Sequence, residues 1–194
     1  MKKLVIKTTL ITLASLIGTI IIAFSAVAIF APGFTAGIFD GVGNYSATVF
    51  FYQKQYSKTG DINDLSILVN KIDLENDSER AEKYLDLMLK HDDFDFYCDS
   101  QSQSEDFSLV EYYCGNYAYA LALNGKFDEA ISVAENFVSE NSYTKNNPYT
   151  VLIYGVENLS NAQIQTILSK LNLLSQTEKE KANSDIEYLN QLLG

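Results

Sequence analysis

The sequence predicts an all-α protein in which one transmembrane helix near the N-terminus precedes a domain of α-helical hairpins. The first observation is an uncharged run at residues 8–30, which is long enough to cross a bilayer as a helix. The second is a repeated spacing of apolar residues at i, i+3, i+4 and i+7, which indicates amphipathic helices. One such set is Leu65, Leu68, Val69 and Ile72. The third is that no stretch sustains the apolar–polar alternation of a β-strand.

The run at residues 8–30 has the charge pattern of a membrane anchor. It follows a basic N-terminal end with Lys2, Lys3 and Lys7, and residues 1–31 contain no acidic residue. Because basic residues stay on the cytoplasmic side of a membrane helix, we expect the N-terminus in the cytoplasm and the C-terminal domain outside. The sequence therefore predicts a single-pass protein of the cell membrane, with residues 1–31 as its cytoplasmic tip and anchor.

The same segment also resembles a cleavable signal peptide. Ala26, Val27 and Ala28 fit the small-residue pattern of a cleavage site. Against cleavage, the apolar run exceeds the usual length of about 7–15 residues and continues through Ile29 and Phe30. Cleavage after Ala28 would leave a secreted factor without an anchor. Both interpretations carry the domain across the membrane.

Residues 32–45 are predicted to form a glycine-rich juxtamembrane linker, because glycine disfavours helix in water. The alternative rests on Gly33, Gly37 and Gly41, which are spaced by four residues. In a helix they would form a stripe of small residues that lets membrane helices pack closely. In that case the chain is an accessory membrane subunit recognised through this stripe.

Residues 46–194 are predicted to form the helical domain, which a polar acidic loop at residues 92–106 interrupts. The expected helices lie at about 46–58, 63–73, 78–91, 107–124, 127–140, 147–157, 160–173 and 176–193. Capping boxes support the last two starts, because Ser160 precedes Gln163 and Ser175 precedes Glu178 by three residues.

Part of this domain resembles a tetratricopeptide repeat. Turn glycines Gly60 and Gly125 lie about 65 residues apart, near twice the family's period of about 34. The likeness is best over residues 112–138, where small, turn and aromatic residues fall at the family's positions. The matching residues are Ala118, Gly125, Phe127 and Ala130. Small residues at these positions let helices approach to about 8–10 Å.

The resemblance is partial, because Cys114 stands where the family usually has an aromatic residue and Phe137 where it has a small one. It implies an α-solenoid of stacked helical pairs and a role as a protein–protein interaction scaffold or accessory factor. If that holds, tyrosines on the inner helices line a peptide groove. The alternatives are an irregular helical bundle and tyrosines that belong to the core or to semi-buried seams. The candidate partner-binding residues are Tyr113, Asn116, Tyr117 and Asn124.

The charge distribution argues against nucleic acid as a partner. The chain has a net charge of -11, and residues 32–194 contain 11 basic and 25 acidic residues, for a net of -14. Such a domain repels phosphates and favours basic protein partners, for which the acidic loop is a possible site.

Residues with catalytic or metal-binding chemistry are sparse. His91 is the single histidine, and the sequence contains no Walker A, G-x-S-x-G or H-E-x-x-H motif. We therefore predict no enzyme activity, cofactor, metal or small-molecule substrate. Cys98 and Cys114 are the only cysteines, and outside the cytoplasm they could form a disulfide; the alternative is two separate thiols.

Overall fold

The computed structural model describes residues 2–101 and 108–194, and the prediction of an all-α fold is confirmed for them. They divide into two compact units, Met1–Glu75 and Asn76–Gly194. The first contains α1 (Lys2–Phe30), α2 (Pro32–Gly41), α3 (Tyr45–Thr59) and α4 (Ile62–Asp73). The second contains α5 (Ser78–Leu89), α6 (Phe94–Gln101), α7 (Leu109–Leu123), α8 (Phe127–Asn141), α9 (Pro148–Gly155), α10 (Asn161–Leu171), α11 (Gln176–Lys181) and α12 (Asn183–Leu193).

The first unit is built around the end of the long helix α1. Within the described residues, α1 alone is long and apolar enough to cross a membrane, over the 23 residues Thr8–Phe30 with a mean hydropathy of 2.5. α2 packs on both α1 and α3, and α3 packs on α4. The units thus group α3 and α4 with α1, whereas the sequence suggested boundaries after residues 31 and 45.

The segment predicted as a linker, residues 32–45, is helical over its first ten residues. Pro32 stands in the first turn, where its missing N–H costs no hydrogen bond. Thr35 and Ala36 are fully buried, so tertiary packing outweighs the low helix propensity of the three glycines. The chain leaves the helix at Gly43, whose positive φ of 71° suits glycine.

The second unit has α7 at its centre, in contact with α5, α8 and α9. α8 also packs on α9 and α10, and α12 packs on both of those helices. Small residues at the contacts, Ala118, Ala130 and Ala134, are fully buried and allow the close helix spacing expected from the sequence. A continuous cluster of buried apolar residues runs from α7 through α8, α9 and α10 to α12.

Two elements differ from the sequence-based helix boundaries. The predicted acidic loop, residues 92–106, contains α6, because Phe94 and Cys98 lie one turn apart and are both buried. Residues 102–107 lie outside the described part of the chain. The last predicted helix is divided at Ala182, which separates α11 from α12.

Candidate partner-binding site

Three of the four predicted contact residues point from α7 into the fold. Tyr113 is only 1% exposed and packs edge-to-face on Phe94, with ring centroids 5.9 Å apart. The Tyr117 hydroxyl donates a hydrogen bond to Asp86 Oδ1 on α5 at 3.1 Å. Tyr113 therefore contributes to the core, and Tyr117 joins α7 to α5.

Asn124 belongs to the same seam between α5 and α7. Its Nδ2 donates to Glu82 Oε2 at 2.7 Å, and its Oδ1 accepts from Ser78 Oγ at 2.6 Å. Lys126 also donates to Glu82 at 2.5 Å, and the hydrogen bonds from Lys126 and Asn124 lower the pKa of the Glu82 carboxyl. These hydrogen bonds join α5 to the end of α7, and they use the Asn124 side chain for contacts inside the unit.

Asn116 is the predicted contact residue that reaches an opening. It lines a shallow pocket of about 270 Å³, hereafter the α7–α9 pocket. The lining residues are Ser108, Glu111, Tyr112, Asn116, Asn146 and Val151. Glu111 is buried, and its carboxylate accepts a hydrogen bond from the Thr144 hydroxyl. The pocket thus combines an aromatic ring, two amides and a carboxylate.

Two helical glycines set the distance between α7 and α9. A Cβ atom on Gly115 would lie 2.8 Å from Val151 Cγ2, and one on Gly155 would lie 3.3 Å from the Tyr119 ring. Real side chains do not tolerate the first distance without movement, so Gly115 is needed for this contact. A glycine inside a helix costs about 1 kcal/mol in helix propensity relative to alanine. Its presence there is therefore the sequence signal for a second helix that packs closely against it.

One face of α7 remains partly open beside this contact. Tyr112, Asn116 and Tyr119 are half-buried at helical spacing, and Leu123 continues the row as an exposed residue. On α9, exposed Tyr154 follows Val151 by one turn and stacks on Tyr188 of α12, with ring centroids 4.9 Å apart. The sequence alone could not bring Tyr154 and Tyr188 together, because the packing of α12 on α9 makes that pair.

We use the name α7–α9 face for Tyr112, Asn116, Tyr119, Val151 and Tyr154. On the side of this face next to α12, a buried carboxylate holds the neighbouring elements together. Asp185 accepts hydrogen bonds from the hydroxyls of Tyr143 at 2.6 Å, Thr150 at 2.8 Å and Tyr154 at 3.2 Å. This network ties α9 and α12 to the segment between α8 and α9.

Buried tyrosines make alkaline pH destabilising. Burial, with hydrogen bonds to carboxylates, raises the pKa of Tyr117 to about 12 and raises the pKa of Tyr143 further. Unfolded tyrosine ionises near its ordinary pKa of 10.0, so above that pH the unfolded state binds fewer protons than the folded state and stability falls.

We expect the thermal midpoint of the full chain in detergent, followed by circular dichroism, to drop between about pH 9 and about pH 11.5. The Tyr143→Phe variant should show a weaker dependence over the same range. A midpoint that stays constant across this range would contradict the burial of these hydroxyls.

The two cysteines are thiols in this structure, and no disulfide joins them. Burial raises the pKa of the Cys98 thiol to about 12 and that of Cys114 to about 11. Because the thiolate is the reactive form, neither group is activated as a nucleophile.

The predicted glycine stripe is divided between two environments. Gly33 donates its N–H to Gln55 Oε1 at 3.2 Å, and an added Cβ would press on the Gln55 side chain. Gly37 and Gly41 would meet nothing within 4 Å. Only the last two glycines therefore lie on an open part of α2.

Neither metal chemistry nor similarity assigns a role to this chain. Among the described residues, no group of three or more His, Cys, Asp or Glu side chains is arranged to hold a metal ion. Comparisons with protein-family models, curated proteins and solved structures found no match.

Proposed function

We propose that this chain is a membrane-anchored, extracytoplasmic scaffold or accessory factor, whose second unit binds a protein or peptide partner on the α7–α9 face. α1 supplies the anchor, with the N-terminus in the cytoplasm. The carrying observation is the partly open face of α7 and α9, where Tyr112, Asn116 and Asn146 line a shallow pocket.

The arrangement of the helices supports a tetratricopeptide-like role. α5, α7, α9 and α12 form a row in which each helix packs on the next, while α8 and α10 lie beside them. In stacked helical pairs the inner row presents the extended binding surface. The α7–α9 face lies on this row.

The chemistry of the face suits a polypeptide. Tyrosine offers a large, rigid contact area with a polar end, and it is enriched at the centres of protein interfaces. Asn116 and Asn146 can pair with the backbone of an extended peptide. Residues 76–194 contain 20 acidic and 8 basic residues, so their net charge of -12 favours a basic partner.

Photo-crosslinking in native cells tests the site. A photoreactive residue at Asn116 should capture one discrete protein, because its side chain lines the pocket. Asn136 is a matched control, since it is an exposed asparagine on α8. Equal crosslinking from both positions, or none from Asn116, would contradict a binding site on the α7–α9 face.

The open surface beside Gly37 and Gly41 supports the alternative that the chain is an accessory membrane subunit. A photoreactive residue at Gly37 in the same experiment would detect it. Capture of a membrane protein from Gly37 alone would move recognition into the juxtamembrane segment. Mass spectrometry of the mature N-terminus would distinguish both cases from a secreted factor, which begins after Ala28.

A further inference from the structure

The first unit determines how far α1 can enter a bilayer. A single residue, Ala31, separates α1 from α2, and α2 then turns back along α1 so that Phe39 meets Phe24 with ring centroids 6.2 Å apart. Phe24 precedes the end of α1 by about 9 Å, and Phe39 follows the start of α2 by about 10 Å, at 1.5 Å per residue. The end of α2 therefore lies beside Phe24.

α3 returns along the same path. Phe51 stacks on Phe39 at 5.5 Å, and seven residues later Lys58 Nζ donates to the backbone oxygen of Phe30 at 2.9 Å. α3 thus rises from the level of Phe24 to the level of Phe30. The residues before Phe51, including Tyr45, lie at or below the level of Phe24.

α4 stands at the same height and is too polar for hydrocarbon. Lys71 forms an ion pair with Asp40 at 2.8 Å, which places the end of α4 beside the end of α2. Asn63 and Asp73 on α4 are exposed. An exposed amide or carboxylate in the bilayer core costs several kcal/mol or more. The hydrocarbon boundary must therefore lie near Phe24, below most of this bundle.

The part of α1 before Phe24 is long enough to cross alone. Residues 4–23 make a helix of about 30 Å, the thickness of a typical hydrocarbon core. The backbone of residue 7 then lies about one turn inside the boundary.

The end of the bundle that faces this boundary exposes apolar and aromatic side chains among polar ones such as Asn44 and Asp73. Val42 is 73% exposed in the turn between α2 and α3, and Tyr45 and Leu74 beside it are also exposed. Phe50 is exposed one turn further on, with Lys54 Nζ 4.5 Å from its ring centroid. Aromatic residues with a nearby lysine are typical of the membrane–water interface.

We propose that the turn at residues 41–45 rests in the interfacial layer of the bilayer, so that the transmembrane segment proper ends near Phe24. This rests on α1 being the membrane anchor of the proposed function. The turn contacts lipid, because exposed Val42, Tyr45 and Leu74 lie at the depth where hydrocarbon meets headgroups, and the polar residues beside them suit the headgroup layer. The last two turns of α1 then serve as the support on which α2 packs.

Tryptophan scanning tests this geometry, because the native chain contains no Trp. The full chain is reconstituted in phosphatidylcholine vesicles as three variants, Ile17→Trp, Val42→Trp and Phe34→Trp. Phe34 is the matched control, since it is 66% exposed near the start of α2, about two turns higher than Val42. Lipids brominated near the headgroup end of their chains quench tryptophans in the interface, and acrylamide quenches those in water.

We expect brominated lipid to quench Val42→Trp at least about threefold more strongly than Phe34→Trp, with acrylamide showing the reverse order. Equal lipid quenching at both positions would place the whole of α2 in the bilayer and overturn the proposal. Shielding of Val42→Trp from both quenchers would indicate a protein contact, such as a second copy, and would also overturn it. The Ile17→Trp variant tests the membrane anchor of the proposed function separately from the position of the turn. Lipids brominated deep in their chains quench this tryptophan only if α1 lies in the bilayer.

Discussion

Replacing Asp185 by Ala should destabilise the second unit by about 3 kcal/mol, because three hydroxyl donors lose a charged acceptor at a buried position. Asp185 is 5% exposed, and Tyr143, Thr150 and Tyr154 all donate to it. The buried Tyr143 hydroxyl cannot recover its bond from water, so the loss includes its desolvation. The measurement is urea unfolding of the full chain in detergent, followed by circular dichroism.

Glu187→Ala is the control for Asp185→Ala, because Glu187 lies on the same helix but is exposed, with one surface hydrogen bond from Asn183. Its effect should stay below about 0.5 kcal/mol. Equal effects of the two substitutions would show that the hydroxyl network contributes nothing to the packing of α12.

Replacing Gly115 by Leu should cost about 3 kcal/mol and disrupt the α7–α9 pocket. Even a Cβ atom at this position would lie 2.8 Å from Val151 Cγ2, and valine has little freedom to rotate away. α9 must then move off α7. We expect a lower unfolding midpoint and loss of the crosslink from Asn116.

A second substitution separates steric conflict from a general defect. Adding Val151→Ala to Gly115→Leu should recover at least about 1 kcal/mol, because the new side chain can occupy the space of the removed methyl groups. Asn116→Leu is the control for the leucine itself, since this neighbouring position opens into the pocket. If Val151→Ala brings no recovery, the close approach of α7 and α9 does not limit the Gly115 position.

Most helices could be predicted because local patterns and tertiary packing agree there. The stripe formed by Leu65, Leu68, Val69 and Ile72 is buried in α4 as its spacing indicates, and Ser160 forms the expected capping box with Gln163. These signals lie within about two turns of chain. They need no knowledge of what the helix packs against.

For residues 32–41 the structure has a helix where the sequence favoured a linker, because composition and packing disagree there. The glycines favour a linker, but burial of Thr35 and Ala36 against α3 stabilises a helix. The burial of α6 in the predicted acidic loop has the same origin. Its charged residues indicate solvent, yet two of its side chains reach the core.

The candidate site could be predicted only to the level of the helix. Tyrosines crowd α7 in the sequence, but their burial depends on which neighbour lies on each side. Tyr113 and Tyr117 face α6 and α5, whereas Asn116 faces the opening toward α9. Successive residues of a helix are rotated by about 100° around its axis, so the position of a residue on α7 decides which neighbour it faces. No local signal in the sequence shows which side of α7 faces which neighbouring helix.

Ala26, Val27 and Ala28 are half-buried within the continuous helix α1. A peptidase that binds its substrate as an extended strand can reach their bonds only after this helix unwinds. If the signal-peptide interpretation holds, cleavage would compete in time with folding of the first unit. A chain that folds first would then retain α1, and a chain cut before folding would lose it. Variants that slow the packing of α2 would in that case shift the population toward the cleaved form.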